Sequence, residues 1–115
     1  MLGSKANASQ IVSFLQNAKQ LIASGKYDFV PRKKCLNSLS SHGLTVADAK
    51  NEIISLTTSD YYKGPKSDFD TSKPGDIWEF KKSICGCKFY IKLKIINTSS
   101  GDQLKCLGFH EDDFS

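Results

Sequence analysis

The sequence predicts an α+β fold in which N-terminal helices pack on a small antiparallel sheet. Two patterns predict it. In the first half of the chain, apolar residues recur at steps of three and four, which is typical of helices with one buried face. In the second half, apolar and polar residues alternate, most regularly over Lys88–Ile96, as they do in half-buried strands. Because 115 residues suffice for one core but not for two ordinary domains, we expect a single domain.

The first helix is predicted to begin near Ser9, which can cap it, and to end at Gly25. Residues 1–8 are small, polar and unpatterned, so we expect them to be disordered or vector-derived, ahead of one domain over residues 9–115. A short extended link, Tyr27–Val30, follows the helix, because the residue before a proline avoids helical geometry. The predicted buried stripe of the helix comprises Ile11, Phe14, Leu15, Ala18, Leu21 and Ile22.

Two further helices are predicted before the sheet. Pro31 suits the first turn of the second helix, which we expect to stop at Gly43. Thr45 and Asp48 have the spacing of a capping box and predict the start of a third helix. The apolar positions of the second helix are Cys35, Leu36 and Leu39, and those of the third are Val46, Ala49, Ile53 and Leu56.

At least three antiparallel strands are predicted in the second half of the chain. Gly64–Pro65 interrupts a short aromatic segment and leads into a polar stretch, Lys66–Asp76, which we expect to be a loop, either functional or disordered. Alternation then predicts strands over Ile77–Lys81, Lys88–Ile96 and Gln103–Phe109. The turns between these strands are predicted at Ser83–Gly86 and Asn97–Asp102.

The charge distribution favours phosphate contact over sequence-specific DNA recognition. The chain carries 16 basic residues and a net charge of +4. Arg32 is the only arginine, so bidentate recognition of guanine has few candidates and we expect no DNA partner, whereas lysines suffice for phosphate contact. Arg32, Lys33 and Lys34 lie at the positive end of a helix dipole, where they either contact a phosphate or are simply solvated.

One sheet face is predicted to stay open to water and to be basic. Within Lys88–Ile96, the odd-numbered residues are apolar and can bury, and the even-numbered ones point the other way. A row of lysines with a tyrosine on a rigid sheet suits a polyanion. The residues predicted on this open face are Glu79, Lys81, Tyr90, Lys92 and Lys94.

The four cysteines are expected to be reduced. The chain shows neither a secretory signal nor an apolar run of membrane-spanning length, so we expect a cytoplasmic protein. Cys85 and Cys87 are separated by one residue instead of the two usual in zinc knuckles, and Cys106 and His110 would have to complete a tetrahedral set. Small buried or half-buried thiols near a turn are the preferred interpretation, and no metal or cofactor is expected.

Four short motifs together resemble the MqsR family of bacterial toxins, which are messenger-RNA-cleaving ribonucleases with a RelE-like fold. They are Leu–x–x–Ser–Asp–Tyr–Tyr–Lys ending at Lys63, Ile77–Trp78 followed by Glu79, Tyr–x–Lys beginning at Tyr90, and Leu–Gly–Phe–His–Glu over Leu107–Glu111. The resemblance covers roughly residues 12–113. The individual motifs are weak, and their combination carries the resemblance.

The resemblance implies metal-independent cleavage of single-stranded mRNA by the substrate's own 2′-hydroxyl, with a cognate antitoxin protein as inhibitor. The family's first lysine corresponds to Lys63 and its tyrosine to Tyr90. Its glutamine is replaced by Glu79 and its C-terminal lysine by His110, both of which can carry protons. The predicted catalytic residues are therefore Lys63, Glu79, Tyr90 and His110. The predicted RNA-binding residues are Lys81, Lys92, Lys94, Arg32 and Lys33.

Two alternatives stay open from the sequence. In the first, the changes to Glu79 and His110 mark a non-catalytic module of the same fold that binds RNA or a protein. In that case Tyr90 is a packing residue, Lys63 is solvated and Glu79 forms a cross-strand ion pair. In the second, the cysteines make a metal or redox protein.

Overall fold

A computed structural model describes residues 5–67 and 75–112. The described residues form three helices and a five-stranded sheet, which confirms the α+β class. The helices are α1 (Ala8–Ala23), α2 (Lys33–Ser41) and α3 (Val46–Ile54), and the strands are β1 (Tyr27–Phe29), β2 (Tyr61–Ser67), β3 (Asp76–Ile84), β4 (Cys87–Thr98) and β5 (Gly101–Glu111). Within these ranges no helix has the length and apolar character needed to cross a membrane.

The sheet is mixed, not purely antiparallel as predicted. Its strand order is β1-β5-β4-β3-β2, and β1 runs parallel to β5 at one edge. Tyr27 and Phe29 pair with Leu104 and Cys106, so the segment predicted as a link is a strand. The parallel pairing is possible because α2, α3 and the other strands provide the long crossover that parallel neighbours require.

Capping residues explain where α1 begins and ends. Asn7, not Ser9, caps the helix: its side chain accepts from the Gln10 backbone N–H at 2.9 Å, and the Gln10 side chain accepts from the Asn7 N–H at 2.9 Å. The N-cap therefore lies two residues before the predicted position. Gly25 follows the last turn with a φ of 76°, the left-handed geometry expected of a helix stop.

The predicted capping box of α3 is confirmed. The Thr45 hydroxyl accepts from the Asp48 N–H at 3.1 Å, and the Asp48 carboxylate accepts from the Thr45 N–H at 2.8 Å. The predicted buried stripe is correct at three positions and wrong at Val46, which is 40% exposed. Val46 is the first helical residue, so the buried stripe begins one turn later than the apolar pattern suggested. The three buried positions are Ala49, Ile53 and Leu56.

The strand β2 continues through Gly64–Pro65, where the sequence predicted an interruption. The backbone pairs with β3 on both sides of these residues, with irregular register between them. A Cβ atom at Gly64 would lie 2.6 Å from the Ile77 carbonyl oxygen, so the close approach of the two strands requires glycine. The predicted loop Lys66–Asp76 is strand at its two ends, and residues 68–74 lie outside the described residues.

The core lies between the helices and one face of the sheet. Phe14 of α1 stacks on Trp78 of β3, with ring centroids 4.5 Å apart. Burying this face leaves the opposite face of the central strands for polar side chains. The fully buried sheet residues in the core are Phe80, Phe89, Ile91, Leu93, Leu104, Cys106 and Phe109.

Candidate active site

The open face of the sheet carries a cleft of about 290 Å³. Its walls come from α2 and from four consecutive strands of the sheet, together with the residue that follows β5. The cleft contains all four residues that the sequence predicted as catalytic. The lining residues are Lys34, Tyr62, Lys63, Glu79, Lys81, Tyr90, His110 and Asp112.

Strand register brings the predicted catalytic residues together. Lys63 on β2 pairs with Glu79 on β3, and Tyr90 on β4 pairs with His110 on β5. Lys81 of β3 lies opposite Tyr90 and links the two pairs. Because neighbouring strands are about 4.8 Å apart, residues distant in the sequence become adjacent on one surface.

Glu79 is the buried anion at the base of the cleft. It is only 1% exposed, forms an ion pair with Lys66 and accepts a hydrogen bond from the Tyr90 hydroxyl. Burial alone would raise the pKa of Glu79, but the hydrogen bonds from Lys66 and Tyr90 and the nearby charge of Lys63 outweigh it, so the pKa is lowered. Glu79 is therefore a carboxylate at neutral pH and is covered from solvent.

Burial and the contact with Glu79 both favour the protonated form of Tyr90. Burial, the hydrogen bond to Glu79 and the charge of that carboxylate together raise the pKa of Tyr90 well above its ordinary value. The hydroxyl is consequently a hydrogen-bond donor held in a fixed direction. The Tyr90 ring also contacts the His110 ring, with centroids 5.3 Å apart.

The backbone sets the tautomer of His110. Its Nδ1 lies 2.8 Å from the carbonyl oxygen of Glu111. A carbonyl oxygen can only accept, so Nδ1 carries the proton and Nε2 of the neutral ring has a free lone pair. Geometry therefore makes Nε2 a proton acceptor next to the cleft.

Lys81 is a fixed cation in the cleft. Its Nζ lies 2.8 Å from Asp112 Oδ2 and 4.0 Å from the centroid of the Tyr62 ring, an arrangement suited to a cation–π contact. The hydrogen bond to Asp112 is the main cause of a raised pKa for Lys81. The ammonium is therefore charged and oriented before any substrate arrives.

Three lining residues were not among the predicted site residues. Lys34 belongs to the basic start of α2, where only Arg32 and Lys33 were predicted to bind RNA. Tyr62 and Lys63 both line the cleft although they are consecutive, because the register shifts between Tyr61 and Lys63. That irregularity leaves no mark in an alternating pattern. Asp112 looked like part of an acidic tail, yet its side chain is only 7% exposed.

The predicted RNA-binding residues occupy different places. Lys81 lines the cleft, whereas Lys33 lines a shallow groove along α2 together with Lys34. Arg32 is exposed at the N-cap of α2. Lys92 is the next residue of β4 after Tyr90 that lies on the open face, and it is half-buried. Lys94 is 4% exposed and lies outside the cleft.

The cysteine set considered from the sequence does not assemble. Cys106 is 1% exposed inside the core, and burial raises its pKa. His110 instead belongs to the cleft on the opposite face, and Cys85 is exposed in the turn between β3 and β4. Among the described residues, Cys85, Cys87, Cys106 and His110 therefore form no common ligand set.

The site combines an imidazole acceptor, an oriented phenol and several ammonium groups in one cleft. Such a set can accept a proton from a hydroxyl and stabilise charge on a phosphate. In comparisons with known proteins, no family model and no curated protein matches this chain.

Proposed function

We propose that this chain is a toxin-like endoribonuclease that cleaves single-stranded mRNA by attack of the substrate's own 2′-hydroxyl, without a metal. The observation that supports this most strongly is the convergence of His110, Tyr90 and Lys63 from three strands on one basic cleft. A phosphodiester requires a proton acceptor for the nucleophile and positive charge around the phosphate, and the cleft contains both.

In the proposed reaction, His110 Nε2 accepts the proton of the 2′-hydroxyl as the 2′-oxygen bonds to the adjacent phosphorus. The P–O5′ bond then breaks, and the leaving oxygen takes a proton from the Lys63 ammonium. The products are a 2′,3′-cyclic phosphate and a 5′-hydroxyl end. Lys81, held by Asp112 at 2.8 Å, neutralises the charge that develops on the phosphate oxygens.

Glu79 has a positioning role in this proposal. With 1% exposure it cannot reach a substrate hydroxyl, which favours His110 over Glu79 as the general base. Its carboxylate holds the Tyr90 hydroxyl and keeps that hydroxyl protonated. The Tyr90 hydroxyl, whose proton is donated to Glu79, can orient the substrate by accepting a hydrogen bond on its oxygen.

We further propose membership of the MqsR toxin family, with a RelE-like fold, a bacterial cytoplasmic location and a cognate antitoxin as protein partner. The support is the match of four motifs in the sequence and the fact that their residues Lys63, Glu79, Tyr90 and His110 share one cleft. A small helix-turn-helix or zinc-binding protein encoded beside this chain would support the proposal.

Incubation of the purified protein with RNA in EDTA tests the activity. We expect fragments that end in 2′,3′-cyclic phosphate, and His110→Ala should slow cutting by about 100- to 10,000-fold, the usual contribution of a general base. Lys88→Ala is the control, because Lys88 is exposed and does not line the cleft. Intact RNA at micromolar enzyme, or unchanged cutting by His110→Ala, would overturn the proposal.

A non-catalytic RNA-binding module is the second candidate. The burial of Glu79 favours it, because the position that the resemblance assigns to a catalytic glutamine is occupied by a carboxylate already engaged with Lys66 and Tyr90. Salt-sensitive RNA binding without any cleavage would support this candidate.

A further inference from the structure

A second cluster of reactive side chains lies on the helix-facing side of the sheet, at the end where β4 begins and β5 finishes. His42 follows the last turn of α2, Cys87 is the first residue of β4, and Glu111 is the last residue of β5. One ligand atom from each of these residues lies within 4.8 Å of the other two. None of the three lines the proposed nuclease cleft.

The fold explains why these residues meet. Glu111 pairs with Phe89 across the β4–β5 ladder, and Cys87 precedes Phe89 by two residues, so all three side chains point to the same face. The His42 ring contacts Phe89 edge-on, with centroids 5.3 Å apart. His42 Nε2 lies 2.7 Å from Glu111 Oε1. Helix and sheet therefore hold the imidazole against the carboxylate and the thiol.

The donor atoms suit zinc. Imidazole nitrogen, thiolate sulfur and carboxylate oxygen are the three ligand types that proteins use for Zn²⁺. Zinc–ligand bonds and tetrahedral angles place ligand atoms about 3.3–3.7 Å apart. The observed distances are of the same order: His42 Nε2 and Glu111 Oε1 are 2.7 Å apart, and all three ligand atoms lie within 4.8 Å of one another. Small side-chain rotations can accommodate an ion, and the ion would replace the shared proton of the His42–Glu111 contact.

We propose that His42, Cys87 and Glu111 bind one zinc ion, with water as the fourth ligand. The side chain of His42 is 16% exposed and that of Glu111 is 48% exposed, so one side of the cluster opens to solvent and leaves room for the water. The ion joins the end of α2 to the first residue of β4 and the last residue of β5. This ligand set differs from the one considered from the sequence and does not depend on the nuclease proposal.

Metal titration of the full chain, after removal of bound metal, tests the site without RNA. We expect one equivalent of Zn²⁺ to bind and to raise the melting temperature. Co²⁺ in its place should give the near-ultraviolet absorption of a thiolate–cobalt bond and the visible bands of a tetrahedral ion. Cys87→Ser should abolish the thiolate band, and His42→Ala should weaken zinc binding by more than about 100-fold, since loss of even an outer-shell partner costs 10- to 100-fold.

Two further variants make the test decisive. Glu111→Gln changes an exposed position, so it should fold normally, as circular dichroism can check, and still lose zinc affinity. Cys85→Ser removes an exposed thiol outside the cluster and should bind zinc as the wild type does. The proposal would be overturned if the wild type showed no saturable zinc binding, or if Cys87→Ser and Glu111→Gln bound zinc as tightly as the wild type does. It would also be overturned if Cys85→Ser lost the cobalt–thiolate band. RNA cleavage in EDTA is a separate readout, so either proposal can fail alone.

Discussion

Glu79 is central to the electrostatic interactions of the site. Its buried carboxylate forms an ion pair with Lys66 and accepts a hydrogen bond from Tyr90. These contacts lower the pKa of Glu79. A buried charge is stable only while its partners remain, because an ion removed from water must recover its lost solvation from neighbouring groups. The consequence is that Glu79 couples the stability of the domain to the geometry of the cleft.

Glu79→Gln should destabilise the protein at neutral pH by about 1–3 kcal/mol, since hydrogen bonds to a charged group are lost. The folded state lowers the pKa of Glu79 below its ordinary 4.5, so its stabilisation is complete above that pH and is lost as the pH falls through the lowered native value. The difference in unfolding free energy between wild type and variant should therefore shrink below pH 4.5. Urea unfolding at a series of pH values measures it.

The control for this prediction is Glu52→Gln. Glu52 is 32% exposed and forms a 2.8 Å ion pair with Lys82 on the surface, and such pairs contribute about 1 kcal/mol or less. If Glu79→Gln were no more destabilising than Glu52→Gln at neutral pH, the coupling assigned to Glu79 would be wrong.

At the scale of elements, local pattern determined the helices and missed the features that depend on distant pairing. The α3 capping box and three of its four buried positions follow from residues within one segment. The strand β1 could not be predicted in this way, because Tyr27 gains its strand geometry from Leu104, near the other end of the chain. Hydrophobic periodicity contains no information about such a partner.

The same limit applies to the site. Alternation correctly placed Tyr90 on the open face, and register with β5 then brought His110 beside it. The pattern also placed Glu79 on that open face and predicted it to be exposed to water. In the structure the Glu79 side chain is almost completely buried and forms an ion pair with Lys66 of β2. The sequence had assigned Lys66 to a loop, so this partner could not be foreseen.

At the N-terminus of α2, one substitution should have opposite effects on the stability of the domain and on RNA binding. Arg32 caps the helix without a side-chain hydrogen bond, and the first turn contains no acidic residue. A cation at this end of the dipole is unfavourable. Arg32→Asp should therefore stabilise the domain by about 0.5–2 kcal/mol through a cap and a favourable dipole contact. Chemical unfolding provides the measurement.

The same variant should weaken RNA binding several-fold if Arg32 contacts phosphate, as the sequence predicts, because it replaces a cation with an anion. Arg32→Ala separates the two effects: it should weaken RNA binding less and leave the helix uncapped. Tighter RNA binding by Arg32→Asp would contradict the assigned role of Arg32.

At the scale of the whole molecule, the modest net charge of +4 conceals an uneven distribution. Three lysines, Lys34, Lys63 and Lys81, line one cleft together with two carboxylates. Both carboxylates are engaged, Glu79 with Lys66 and Asp112 with Lys81. RNA should therefore be held by a few well-placed ammonium groups instead of by a broad positive field.

This distribution predicts a weak salt dependence of RNA binding. Each phosphate neutralised on a single strand contributes about −0.7 to the slope of log affinity against log salt, so the three lysines of the cleft together contribute about −2. Lys63→Ala should make the slope less negative by about 0.7, whereas Lys88→Ala, at an exposed position that does not line the cleft, should leave it unchanged. Fluorescence anisotropy with RNA that lacks the attacking 2′-hydroxyl measures binding without cleavage. A slope near zero, or an equal effect of the two substitutions, would mean that the cleft is not where the phosphates bind.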